Sequence, residues 1–156
     1  MSIEQKLLEL QLILPPAPKP VATYVPASLA GDLLFVSGVL PFEDGKMAFT
    51  GKLGSSLTVQ EGYRAARIAT LNALAIIRQE LSTLDRVQKI VRLTGHVASA
   101  DSFAEQPAVV NGASDLLVEI FGLEGRHARL ALGAAELPLH APIELEFIVQ
   151  IVPEEK

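Results

Sequence analysis

The sequence predicts an α+β fold, with two helices packed on one face of a mixed β-sheet. Three observations carry that expectation. Short apolar segments broken by turn chemistry fill residues 21–51, helix-period runs follow near 58–81 and 107–122, and strand-like segments lie between and after the helices. The order is β-β-(β)-α-β-α-β-β, with no internal repeat or low-complexity tract.

Ahead of this pattern, residues 2–13 form a predicted amphipathic helix whose stripe runs Ile3, Leu7, Leu10 and on to Leu14. Pro15-Pro16 ends it, and "PPAPKP" is a stiff extended connector. The helix is expected to pack on its own domain or on a neighbouring subunit.

"VATYVPASLAGDLLFVSGVLPFEDGKMAFTG" reads as strands around turns at Gly31-Asp32 and Glu43-Asp44-Gly45-Lys46. Within it "LLFVSG" is a continuous apolar run, which predicts a central strand buried on both faces. Thr58-Val59-Gln60-Glu61 is a capping box opening the longest helix, whose stripe runs through Tyr63, Ala66, Thr70, Ala73, Leu74 and Ile77 to Leu81.

"VQKIVRLTGHVAS", residues 87–99, is a further strand region with Val87, Lys89, Val91, Leu93 and Gly95 on one face. The second helix is expected to start near Pro107 and to carry Val110, Ala113, Leu117 and Ile120 to a Gly122 cap. Two strands joined by a turn at Leu137-Pro138 close the chain at 126–152.

A chain of 156 residues is expected to form one domain, with 1–19 as helix and connector and 20–152 as core. The composition is 49% hydrophobic and 20% charged, which excludes disorder. With no cysteine there is neither a disulfide nor a thiolate nucleophile, and His96, His127 and His140 do not form a metal motif, so no metal is expected. A net charge of −5 without a basic cluster argues against nucleic-acid binding. The opening residues lack the basic region of a secretory leader and no run of apolar residues spans a bilayer, so a cytoplasmic protein without membrane contact is expected.

Few residues invite chemistry. Arg129 shares a strand face with Ala131, Gly133 and Ala135, while Leu130, Leu132 and Ala134 take the other. It is either a strand-end arginine snorkelling to water or a bidentate fork reaching over a shallow floor toward a carboxylate. Glu144 faces away from Ile143 and Leu145, where desolvation would suit it to acid-base work; Glu146 shares its face, and pattern does not choose between them. Tyr24 is a strand residue with a hydroxyl for a ligand or a core ring, Asn111 a polar helix residue that can donate and accept, and His127 a neighbour of Arg129 that can exchange a proton or simply face water.

The pattern "ARLALGAAELPLHAPIELEFI", an arginine, seven residues, Leu-Pro and then an Ile-Glu-Leu-Glu strand, resembles the closing signature of the Rid family, also called the YjgF or L-PSP endoribonuclease family. "TYVPASLAGDLLFVSGVLP" is similar to the family's opening tyrosine and its Ser-Gly-x-x-Pro strand, and "TVQEGYRAARIATLNALAII" to its first helix, so about residues 20–152 are covered.

The resemblance implies a chorismate-mutase-like fold assembled as a homotrimer with clefts between subunits. It further implies cofactor-free hydrolysis of reactive enamines and imines, such as 2-aminoacrylate, to 2-keto acids and ammonia. By the same resemblance Arg129 would bind the substrate carboxylate and Glu144 would handle the catalytic water. Tyr24, Ser37, Gly38 and Asn111 would line the pocket.

The first 19 residues and a longer stretch between Phe103 and Asn111 extend beyond the family archetype, and "NGASDLLVEIFGLEGRHAR" resembles a divergent branch. An alternative role is binding of a keto acid or another small carboxylate without turnover. The endoribonuclease activity of the family's older name finds no basic stripe or aromatic platform here.

Overall fold

The computed structural model describes residues 1–20 and 22–154. Val21, the first residue of the predicted strand segment, and Glu155 and Lys156, the last of the expected domain, lie outside them. In chain order the elements are α1 (Ile3–Glu9), β1 (Ala27–Ala30), β2 (Leu33–Val39), β3 (Phe42–Glu43), β4 (Lys46–Met47), α2 (Val59–Leu81), β5 (Val87–Ala98), α3 (Gln106–Phe121), β6 (Ala128–Ala134) and β7 (Ile143–Ile151).

Five strands form one sheet in the order β1-β2-β7-β5-β6, and β3 and β4 form a separate hairpin. Only β5 and β6 run parallel, because α3 carries the chain back between them; every other neighbouring pair in the sheet is antiparallel. The two closing strands are therefore not partners: β7 returns past β5 to insert between β5 and β2.

Local chemistry fixes the helices. At α2 the Thr58 hydroxyl accepts from the Glu61 backbone at 3.2 Å and the Glu61 carboxylate accepts from the Thr58 backbone at 2.8 Å. At α1 the Ser2 and Gln5 side chains make the same exchange. That helix is shorter than residues 2–13: Gln11 takes a positive φ, and Leu12 donates back to the Leu7 carbonyl at 2.9 Å, a Schellman stop. Asp85 accepts from the Ile3 and Glu4 amides, and Leu7 and Leu14 are buried, so α1 packs on this chain's own core.

Helices α2 and α3 cover one face of the sheet. They approach closely at Gly112, where a Cβ would overlap the Tyr63 carbonyl oxygen. Beneath them Leu93, Ile143, Leu145, Phe147 and Val149 fill the core.

The other face is open, which corrects two expectations. Strand β2 is buried on one side only: Leu34, Val36 and Val39 point inward, while Phe35 is 42% exposed. Its continuous apolar run puts Phe35 on an open face shared with Leu130 and Leu132. In β5 the inward phase is Val87, Ile90, Leu93, Gly95 and Val97, with Lys89 exposed. Two register shifts against β7, at Val87/Lys89 and Ile90/Arg92, account for the change of phase.

Candidate functional site

The candidate residues fall into two groups on opposite faces of the sheet. In the register of β5, Leu93 stands beside both Arg129 and Phe147, which places Arg129 on the helix-covered side. Its strand is the sheet's edge, so the guanidinium meets α3. Nη1 donates to Asn111 Oδ1 at 2.7 Å and to Ser114 Oγ at 3.1 Å, and Nη2 donates to the Pro107 carbonyl at 3.4 Å. Positions 107, 111 and 114 are four and three residues apart, one stripe of the helix.

A second layer holds Ser114. His127 Nδ1 lies 2.6 Å from the Gly125 carbonyl, which only accepts, so Nδ1 carries the proton. Nε2 then accepts from the Ser114 hydroxyl at 2.9 Å, leaving a Ser114 lone pair for Arg129. Burial lowers the His127 pKa from its ordinary value and the Arg129 charge adds to the effect, against the Gly125 bond, so the ring is neutral at pH 7. A guanidinium has five N–H donors. Three are committed here, and Nε–H and one Nη2–H remain without an acceptor among the described residues.

Of the small residues beside Arg129, Ala131 packs against the core, while Gly133 and Ala135 are exposed. A Cβ on Gly133 would stand 3.2 Å from Gln106 Nε2 and 3.3 Å from Ser99 Oγ, and Gln106 itself donates to Ser99 and to the Phe103 carbonyl. Gly133 makes room for the first turn of α3.

Glu144 belongs to the open face. It stands directly across the ladder from His96, as Glu146 does from Thr94. Glu144 is half-buried and Glu146 exposed, a distinction the alternation could not make. Burial raises the Glu144 pKa from its ordinary value and the Glu146 charge adds to it, while His96 opposes. A carboxylate so placed can take a proton from water more readily than an ordinary one.

Gly38 packs under that carboxylate: a Cβ there would overlap Glu144 Oε1. Ser37 and Gly38 sit where the β2–β7 register shifts between Val36 and Val39. The Ser37 hydroxyl donates to the Val25 carbonyl at 2.6 Å, and its amide to the Pro26 carbonyl at 2.9 Å, which holds the segment carrying Tyr24 against this bulge. Tyr24 is neither a strand residue nor a core ring; it lies in a bend before β1, 46% exposed, and lines a cavity with Ser37 and Gly38.

One chain thus joins Arg129 with Asn111, and Glu144 with Gly38, Ser37 and Tyr24, and does not join Arg129 to Glu144. His96 and Ser114 were missed by the sequence reading. Ser114 was visible as a polar residue one turn after Asn111, whereas nothing in the sequence pairs His96 with a residue 48 positions away. Among the described residues no group of three His, Asp or Glu side chains is placed to hold a metal, and no helix is long and apolar enough to cross a membrane.

An open-faced mixed sheet with two long helices on its other side and candidate groups at its edges defines a chorismate-mutase-like α+β protein. Residues 4–150 match the family described as YjgF/chorismate mutase-like, putative endoribonuclease. The chain belongs to that family, the one also called Rid. It is 44% identical over 150 residues to Protein TCP17 of Trypanosoma cruzi, covering 96% of this chain and 94% of that one.

Two crystal structures are similar throughout. A protein of Agrobacterium tumefaciens called Atu1372, of unknown function, is 44% identical with a TM-score of 0.89, covering 96% of this chain and 92% of its own. A putative endoribonuclease of Shewanella oneidensis is 38% identical with a TM-score of 0.94, covering 97% of this chain and 100% of its own.

Proposed function

We propose that the protein hydrolyses reactive 2-imino acids and their enamine tautomers to 2-keto acids and ammonia. It acts as a homotrimer whose clefts join the Arg129 half-site of one subunit to the Glu144 half-site of the next. The observation that carries this reading is the guanidinium of Arg129, fixed by three hydrogen bonds to α3 with two donors left over, the number a carboxylate takes bidentately.

The chemistry balances with one carboxylate. Arg129 holds the substrate's carboxylate through Nε–H and Nη2–H. Glu144, ionised, takes a proton from water as the water oxygen bonds to the carbon of the protonated imine and the C=N π pair moves to the nitrogen, which is left as a neutral amine. In the resulting carbinolamine Glu144 returns its proton to the amine. The C–N bond then breaks with its electron pair leaving on ammonia, and Glu144, ionised again, takes the hydroxyl proton as the carbonyl forms and passes it to the released ammonia. Oxidation states do not change and no cofactor is called for.

Two further features support the reading. Phe35 on β2 and Leu130 and Leu132 on β6 are exposed apolar side chains at the two sides of the open face, which suits burial against another copy of the chain. Against RNA cleavage, Lys52, Arg67, Arg78 and Arg86 each pair with a carboxylate, on a protein of net charge −5. The separation of Arg129 from Glu144 favours a second reading, in which the arginine half-site holds a small carboxylate without turnover.

The test generates imino acids in situ with an amino-acid oxidase, traps them with semicarbazide and asks whether the protein lowers the trapped fraction. Wild type is expected to lower it and Arg129→Ala to leave it unchanged. An identical trapped fraction with and without wild type, together with keto-acid binding by calorimetry, would replace hydrolysis with the second reading.

A further inference from the structure

We infer that the site takes imino acids with an extended apolar side chain, branched aliphatic or aromatic, rather than the two- and three-carbon substrates that an open cleft would accept. The inference rests on the proposed hydrolysis for its reaction, but on a separate feature for its specificity. A cavity of about 260 Å³ opens at the end of the sheet, and Tyr24, Ser37 and Gly38 line it. Gly38 is the shared wall: the cavity touches its backbone, and the Glu144 carboxylate packs where its Cβ would be. A group in the cavity is thus one residue away from the proposed base.

The other walls are apolar. Pro18 and Pro20 of the connector, Pro26, Phe42, Ile76 of α2 and Leu139 enclose it, with Lys19 as the charged lining residue. Leu14, buried in the core, draws the connector across the end of the sheet, and its prolines fix it there without ordering cost on binding. Asn72, buried in α2, donates to the carbonyls of Leu40 at 3.0 Å and Phe42 at 2.9 Å, so the inner wall is pinned as well. Leu139, at a positive φ of 57°, closes the far side.

Size and chemistry agree on the occupant. Liquid water takes about 30 Å³ per molecule, so this volume suits about eight heavy atoms, the scale of a phenylalanine side chain, and a leucine side chain fills about half of it. A methyl group would leave most of it to water against proline and isoleucine. The part of the chain that extends beyond the family archetype is therefore a specificity wall.

The test has two arms. Calorimetry compares 4-methyl-2-oxopentanoate and phenylpyruvate with pyruvate, which needs no turnover. Wild type is expected to bind the larger keto acids at least about tenfold tighter, the discrimination that a few methylenes give in a hydrophobic pocket. Leu139→Trp, at a position 61% exposed and outside the catalytic set, is expected to fill the cavity and abolish the preference while sparing pyruvate.

The second arm compares kcat/KM for imino acids made from leucine, phenylalanine and alanine. Equal or tighter binding of pyruvate, or a preference that Leu139→Trp leaves intact, would overturn the inference. Preferential binding without any imine hydrolysis would uphold the pocket and refute the proposed reaction; hydrolysis blind to side-chain size would do the reverse.

Discussion

Arg129 and Glu144 lie on opposite faces of the same sheet, the first on the edge strand under α3 and the second on the open side beyond β5. No side-chain rotation brings them together within one chain. A reaction that needs both must draw them from two chains.

Arg129→Lys keeps the charge but loses the planar fork. Losing a charge-assisted pair costs about 1.5–3 kcal/mol, so KM for an imino acid is expected to rise about 10- to 100-fold with a smaller change in kcat. Steady-state kinetics on the variant check this.

Ser114→Ala removes one of the two acceptors on Arg129 Nη1 and leaves His127 Nε2 without its donor. About 1 kcal/mol of orientation is lost, an expected fivefold or so rise in KM at nearly constant kcat. Ser114→Thr, which keeps the hydroxyl, is expected to recover most of it, an outcome a purely structural role for Ser114 would not give.

Glu144 works as a base only when ionised, and burial first, with Glu146 second, raises its pKa. The acid limb of kcat/KM is therefore expected at higher pH than an ordinary glutamate would give, and Glu144→Gln removes activity and limb together. The stability sign is opposite. A folded pKa above the unfolded one makes the protonated form the favoured guest, so that contribution is present below the unfolded pKa and lost as pH rises through the folded one. Glu144→Gln is accordingly expected to melt higher than wild type at neutral pH and the same as wild type at pH 3, by thermal scans at both.

Gly38 does not use a positive φ, so alanine fits its backbone, and the atom it would meet is the mobile end of Glu144. Gly38→Ala is expected to leave the melting temperature unchanged or slightly raised. The same change displaces the carboxylate and lowers kcat by about 10- to 100-fold, since an ångström of misplacement is enough. Measuring both quantities on one preparation separates displacement from unfolding.

How far the sequence revealed this molecule differs between local and distant relationships. The Thr58–Glu61 capping box, the Pro107 start, the Gly122 stop and the two faces of β6 are written in residues a few positions apart, and each is present. The two-sided burial expected for β2 failed because an apolar run does not say whether helices cover both faces. Phase in β5 failed because its register shifts depend on β7, more than 50 residues later in sequence. At the site, Arg129 and Asn111 were both legible, yet the hydrogen bond between them and the opposition of His96 to Glu144 are products of topology alone.

Completion of the two half-sites between subunits is checked by combining two inactive proteins in one assembly. Arg129→Ala supplies an intact Glu144 half, and Glu144→Gln an intact Arg129 half. Co-expressed in equal amounts, they are expected to recover about a quarter of wild-type imine hydrolysis, because one interface in four of a randomly mixed closed ring pairs the two intact halves. Mixed assemblies that stay as inactive as either parent would rule out a shared site, since a site contained within one chain cannot be repaired by its neighbour.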